Sequence, residues 1–118
     1  MKTTIRNVHQ QMINDPEWWS LYLMDFVDEF RSSHDLGLVN EPILANDERF
    51  AALLASTVEY LCDEANVVAP IWTTTIPACQ QPWFVAGVEN LKAIALAESP
   101  LRFRIRKIFV LGNFLDRV

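Results

Sequence analysis

Four cationic side chains, Arg102, Arg104, Arg106 and Lys107, fall within six consecutive residues near the C-terminus. Guanidinium groups stay charged, and their planar forks match phosphate or carboxylate oxygens, so such a cluster suits an anion. The plainer reading is a solvated edge, or pairing with the chain's own acids through Asp25, Asp28, Glu29, Glu59 or Asp63. Four tryptophans, Trp18, Trp19, Trp72 and Trp83, form the second feature. Neighbouring helical positions differ by about 100°, so Trp18 and Trp19 cannot both face one core. One of them meets solvent or another chain, or both are covered by the N-terminal segment or by the stretch 67–82. Exposed tryptophans are enriched at interface hot spots.

Other constellations point away from catalysis. Asp25, Asp28 and Glu29 share one side of a helix, and Glu59 and Asp63 share one side of another. Facing carboxylates can hold a di-metal centre, but that architecture wants Glu-x-x-His pairs, and neither His9 nor His34 has a carboxylate at that spacing. These acids read as solvated helix faces, with no metal and no cofactor implied. His34 falls at a helix end, where a cation suits the dipole. His9 sits in a polar stretch and is expected to be exposed. Cys62 lies on an apolar stripe and reads as a small core residue, whereas Cys79, near Pro77 and Pro82, is expected in a loop where exposure is possible. No Gly-x-Ser-x-Gly elbow, phosphate loop, Cys-x-x-Cys or His-Glu-x-x-His occurs.

The elements that position these residues are mostly helical. Asp15-Pro16-Glu17 combines a capping residue, a proline for the first position and an acid for the first turn. Trp19, Tyr22, Leu23, Phe26, Val27 and Phe30 then recur at steps of three or four, predicting a helix to about Ser33. Asn46, Asp47 and Glu48 announce a second helix, striped by Phe50, Leu53, Leu54, Val58, Leu61 and Cys62 and ending near Ala65-Asn66. Pro70, Pro77 and Pro82 exclude helix from most of 67–82, while Ile71 to Ile76 is β-branched and aromatic. That stretch is expected to be extended, with room for a short strand, anchored by Trp72 and Ile76. A third helix is expected over Phe84 to Glu98, with Val88, Leu91, Ala95 and Leu96 inward, although Gly87 weakens its first turn. A short helix over Ile5 to Ile13 is weakly signalled. Residues 100–111 stay ambiguous. Leu101, Ile105, Ile108 and Phe109 share a helical face, yet Phe103 and Ile105 alternate with arginines as in a strand.

Composition bounds the classes. The 118 residues are 51% apolar and 21% charged, with a formal net charge of −5, which suits one globular domain and excludes disorder. No apolar run reaches the roughly 18 residues of a membrane span, and the opening residues carry no signal-peptide core. Two lone cysteines fit a reducing compartment. The charge is uneven: residues 1–101 carry −9 and residues 102–118 carry +4. The acidic remainder would repel a long polyanion, which disfavours nucleic acid.

Pro82-Trp83-Phe84, then Glu98-Ser99-Pro100, then Phe103-Arg104-x-Arg106-x-Ile108-Phe109-Val110 and Asn113-x-Leu115-x-Arg117, resembles a family of small uncharacterised bacterial proteins. The resemblance covers about the last third of the chain. It implies a bacterial, cytoplasmic, free-standing domain and transfers no functional residue.

The resulting expectation is a mainly α, single-domain bundle over residues 1–118. It has three or four helices, an extended Pro-rich segment at about 67–82 and a basic C-terminal arm. The expected function is a non-enzymatic interaction module, acting as an oligomer or in a complex, of which an antitoxin-like partner protein is one form. The alternative is a small enzyme or phosphate or nucleotide binder using Arg102, Arg104 and Arg106 around a pocket near Trp72 or Trp83.

Overall fold

A computed structural model describes residues 3–44 and 47–116. The chain is mainly α, as its periodicity predicts. Helix α1 spans Ile5–Asn14, capped by the Thr4 hydroxyl, which accepts the Asn7 amide at 3.3 Å. Its buried residues are Ile5, Val8, His9 and Met12, spaced as one helical face. Pro16–Trp18 forms a 3-10 turn, and α2 runs Trp19–Ser33 with Leu23, Phe26, Val27 and Phe30 buried. It ends at His34, which takes a left-handed conformation (φ 51°) and donates its amide to the Phe30 carbonyl at 2.7 Å.

Helix α3, Arg49–Glu64, is the centre of the fold: eleven of its sixteen residues are buried. Ala51, Ala52, Ala55 and Ser56 keep that helix slim, so α1, α2 and the C-terminal turn Leu101–Arg104 can all close on it. Asn46, expected to cap α3, lies outside the described residues. Asp47 serves that end, its Oδ2 accepting the Phe50 amide at 2.8 Å.

The second half departs from local pattern. Ile71–Thr75 is a 3-10 turn rather than extended chain, and 67–82 contains no strand. Thr73, Thr74 and Thr75 each donate a hydroxyl to the carbonyl three residues back, at 2.7–2.8 Å, which locks the turn despite its β-favouring composition. Trp72 and Ile76 do anchor inward. The long helix expected over Phe84 to Glu98 is replaced by β1 (Trp83–Phe84), a left-handed Gly87 (φ 69°), a 3-10 turn at Glu89–Leu91 and a short α4 (Lys92–Glu98). Of the residues expected inward, Ala95 is buried, while Val88 and Leu96 are exposed.

The ambiguous tail uses both patterns in turn. It forms one helical turn, α5 (Leu101–Arg104), reverses at Lys107 (φ 62°), and continues as β2 (Ile108–Phe109). Strand β2 pairs in parallel with β1, Trp83 opposite Ile108 and Phe84 opposite Phe109. The basic segment is therefore no projecting arm. Phe103, Ile108, Val110 and Leu115 join the same core as α1–α3.

Candidate functional site

Two regions gather the chain's polar and aromatic chemistry. The first is a seam between α3 and the basic segment. Glu59 and Asp63 stand one turn apart on α3, and Arg102 and Arg106 have the same spacing opposite them. Arg102 grips Asp63 through two bonds, Nε to Oδ2 at 2.8 Å and Nη2 to Oδ1 at 3.1 Å, in a half-exposed position. Arg106 is buried, at 6% exposure, against Glu59 at 4%. Its five N–H donors meet five acceptors: both Glu59 oxygens, the Ser56 hydroxyl, and the Thr73 and Ile76 carbonyls.

Glu59 is thus no solvated acid, contrary to the sequence expectation. The C-terminal turn covers that flank of α3, and a covered carboxylate requires a cation. Arg104 is exposed and donates Nη2 to the Ser99 carbonyl at 3.0 Å, and Lys107 points to solvent. The four cations therefore diverge. An open cleft of about 480 Å³ beside the seam, lined by Tyr60, Asp63, Glu64, Pro100, Leu101 and Arg102, takes only Arg102 from the cluster and neither Trp72 nor Trp83. Trp72 is spent in the core, its indole N–H donating to the Val39 carbonyl at 2.8 Å.

The second region lies where α1, α2, α3 and β1 meet. Trp19, Phe50 and Trp83 form a triangle of rings with centroids 6.1–6.4 Å apart. Together with Ile13, Asp47, Glu48 and Arg49 they line an open cleft of about 530 Å³. The Arg49 guanidinium sits 5.4 Å from the Trp83 ring centroid, a cation–π contact. Both neighbouring acids are committed. Asp47 Oδ1 meets His9 Nε2 at 2.6 Å while Oδ2 caps α3, and Glu48 Oε1 accepts the Gln80 amide.

Burial pushes the Asp47 carboxyl up, but the hydrogen bond and charge of His9, with the Phe50 and Ala51 amides, outweigh it and hold its pKa below the ordinary value. His9, expected exposed, is 2% exposed, because α1 turns it with Val8 and Met12 toward α3. Arg49 is exposed and forms no ion pair among the described residues. Trp18, the residue before Trp19, is 55% exposed, while Trp19 packs partly buried against the core.

Sequence reasoning placed Trp18 and Trp83 among the candidates but passed over Arg49, Asp47 and Phe50. In the sequence Phe50 reads as one residue of an apolar stripe and Asp47 as part of a helix start. Neither cysteine offers a ready thiolate. Cys62 and Cys79 are both buried, correcting the expectation for Cys79, and burial pushes both thiols up. Among the described residues no three His, Cys, Asp or Glu side chains gather in a metal-holding group, and no helix is long and apolar enough to cross a membrane. Comparison with family models, curated proteins and solved structures gives no match.

Proposed function

We propose that the chain is a non-enzymatic protein-interaction module, acting as an oligomer or within a complex, with the Trp19–Phe50–Trp83 cleft and Trp18 as its contact surface. One observation carries this reading: an open aromatic cleft whose Arg49 forms no ion pair among the described residues, with the residue next to its Trp19 wall, Trp18, 55% exposed. Tryptophan and arginine are the residues most enriched at binding hot spots, and a solvent-facing indole forfeits much apolar burial. The C-terminal resemblance and the acidic balance add a setting, a bacterial and cytoplasmic partner protein of antitoxin-like kind. The phosphate or nucleotide alternative loses its strongest residue, since all five Arg106 donors are already used. What remains to it is Arg102, bound to Asp63 beside the cleft of about 480 Å³, and the exposed Arg104.

The test is size-exclusion chromatography with light scattering, joined to a pull-down, on wild type and Trp18→Ala. Association that the substitution weakens is the expected result. A strict monomer that recovers no partner would sink the reading. A thermal-shift panel of phosphate and nucleotides tests the alternative, which requires a rise in melting temperature that Arg104→Glu abolishes.

A further inference from the structure

We infer that the occupant of the aromatic cleft is a second copy of this chain, the Glu17–Trp18 corner of each protomer seated in the Trp19–Phe50–Trp83 cleft of the other, with Glu17 paired to Arg49. This inference rests on the interaction-module reading and names its partner.

The chain carries both halves of the contact on one edge. Trp18 ends the 3-10 turn and immediately precedes Trp19, so the corner adjoins one wall of the cleft along the chain. Trp18 cannot fill its own cleft. Its neighbour's ring already stands there, and consecutive side chains diverge by about 100°. A two-fold axis along that edge solves the problem for both protomers at once, because in an isologous contact residue i meets j while j meets i. Leu21, 47% exposed and three residues after Trp18, extends the apolar face along α2.

Charge supplies the register. Glu17 is exposed and, like Arg49, forms no ion pair among the described residues. Asp47 and Glu48, the cleft's acids, are held by His9, the α3 amides and Gln80, so Arg49 is the charge left to answer an incoming carboxylate. A guanidinium already stacked on Trp83 is also preorganised, which lowers the ordering cost of pairing.

The experiment is sedimentation velocity across a concentration series on the full chain, with Glu17→Arg, Arg49→Glu, the double reversal and Trp18→Ala. Wild type should dimerise. Each single reversal should weaken the dimer by at least about tenfold, since every substitution acts twice in a symmetric contact. The double reversal should return the affinity to within about threefold of wild type, and Trp18→Ala should cost about a hundredfold. All these side chains are exposed, so the variants should fold, and circular dichroism with thermal melts confirms it for each. A wild-type dimer indifferent to both single reversals overturns the Glu17–Arg49 contact while leaving self-association standing. A wild type monomeric throughout overturns the inference. The interaction-module reading then falls too only if the pull-down also recovers no Trp18-dependent partner.

Discussion

The seam and the cleft use the same side-chain chemistry to opposite ends. In the seam, Arg106 is enclosed with Glu59 and every donor is answered from within the chain. In the cleft, Arg49 lies over a ring at the surface and forms no ion pair among the described residues. An arginine can therefore tie elements together or present a charge, and the number of acceptors around it decides which. The seam joins α3, the 3-10 turn at Ile71–Thr75 and the C-terminal segment, three pieces remote in sequence. The cleft joins the starts of α2 and α3 to β1 but leaves their ring faces and one cation open.

The comparison predicts unequal responses to substitution. The largest belongs to the buried pair. Glu59→Ala strands the Arg106 charge and should destabilise by about 3–5 kcal/mol in urea unfolding. Pairing Glu59→Leu with Arg106→Met should recover part of that loss, not all, because the Thr73 and Ile76 carbonyls lose their donor. Full recovery would show that the pair adds specificity rather than stability. Next comes Trp83→Ala. A half-buried cleft wall should cost about 2 kcal/mol of stability, roughly half of a fully buried aromatic, yet nearly abolish association. A larger loss of stability with association intact would move the cleft into the same class as the seam.

Asp47→Asn tests the tie between α1 and α3; an amide can still cap α3, but the weakened bond to His9 should cost about 1–2 kcal/mol near neutral pH. Because the folded Asp47 pKa lies below its ordinary value, its contribution is present at pH above that value and lost as pH falls through the folded pKa. Wild type should therefore weaken in acid more steeply than the variant, and the two urea curves should converge at low pH. The smallest effect belongs to Arg102→Ala. Its bidentate bond to Asp63 is half-exposed and screened, so at most about 1 kcal/mol should be lost, and less at high salt.

How far local pattern reached follows from range. The face of α2 and the stripe of α3 were legible because helical burial repeats every three to four residues, whatever lies opposite. The inward turn of Trp72 was legible too, as a large aromatic among prolines. The helix expected over Phe84 to Glu98 forms only at Lys92–Glu98, and its start differs because β1 exists only by pairing with β2, a partner far along the chain that no local spacing announces. The ambiguity of 100–111 came from a real alternation. A helical turn, a left-handed Lys107 and a strand follow one another within nine residues, Leu101 to Phe109. Of the candidate residues, Trp83 lines the cleft, Trp18 is exposed next to Trp19, Trp72 lies in the core, and the basic cluster splits four ways.

By itself the sequence determined that this chain is mainly helical, where its strongest helices run, that one of Trp18 and Trp19 must turn from the core unless covered, and that its charge divides into an acidic body and a basic end. These follow from periodicity and count, which are local quantities. Only the tertiary structure decided that Glu59 and Arg106 are buried together, that His9 is interior, and that Arg49 shares a cleft with three rings. Burial and charge partnership depend on which remote segments close over a residue. Two arginines of identical chemistry, Arg106 and Arg49, thus come to opposite uses according to what the fold brings against each.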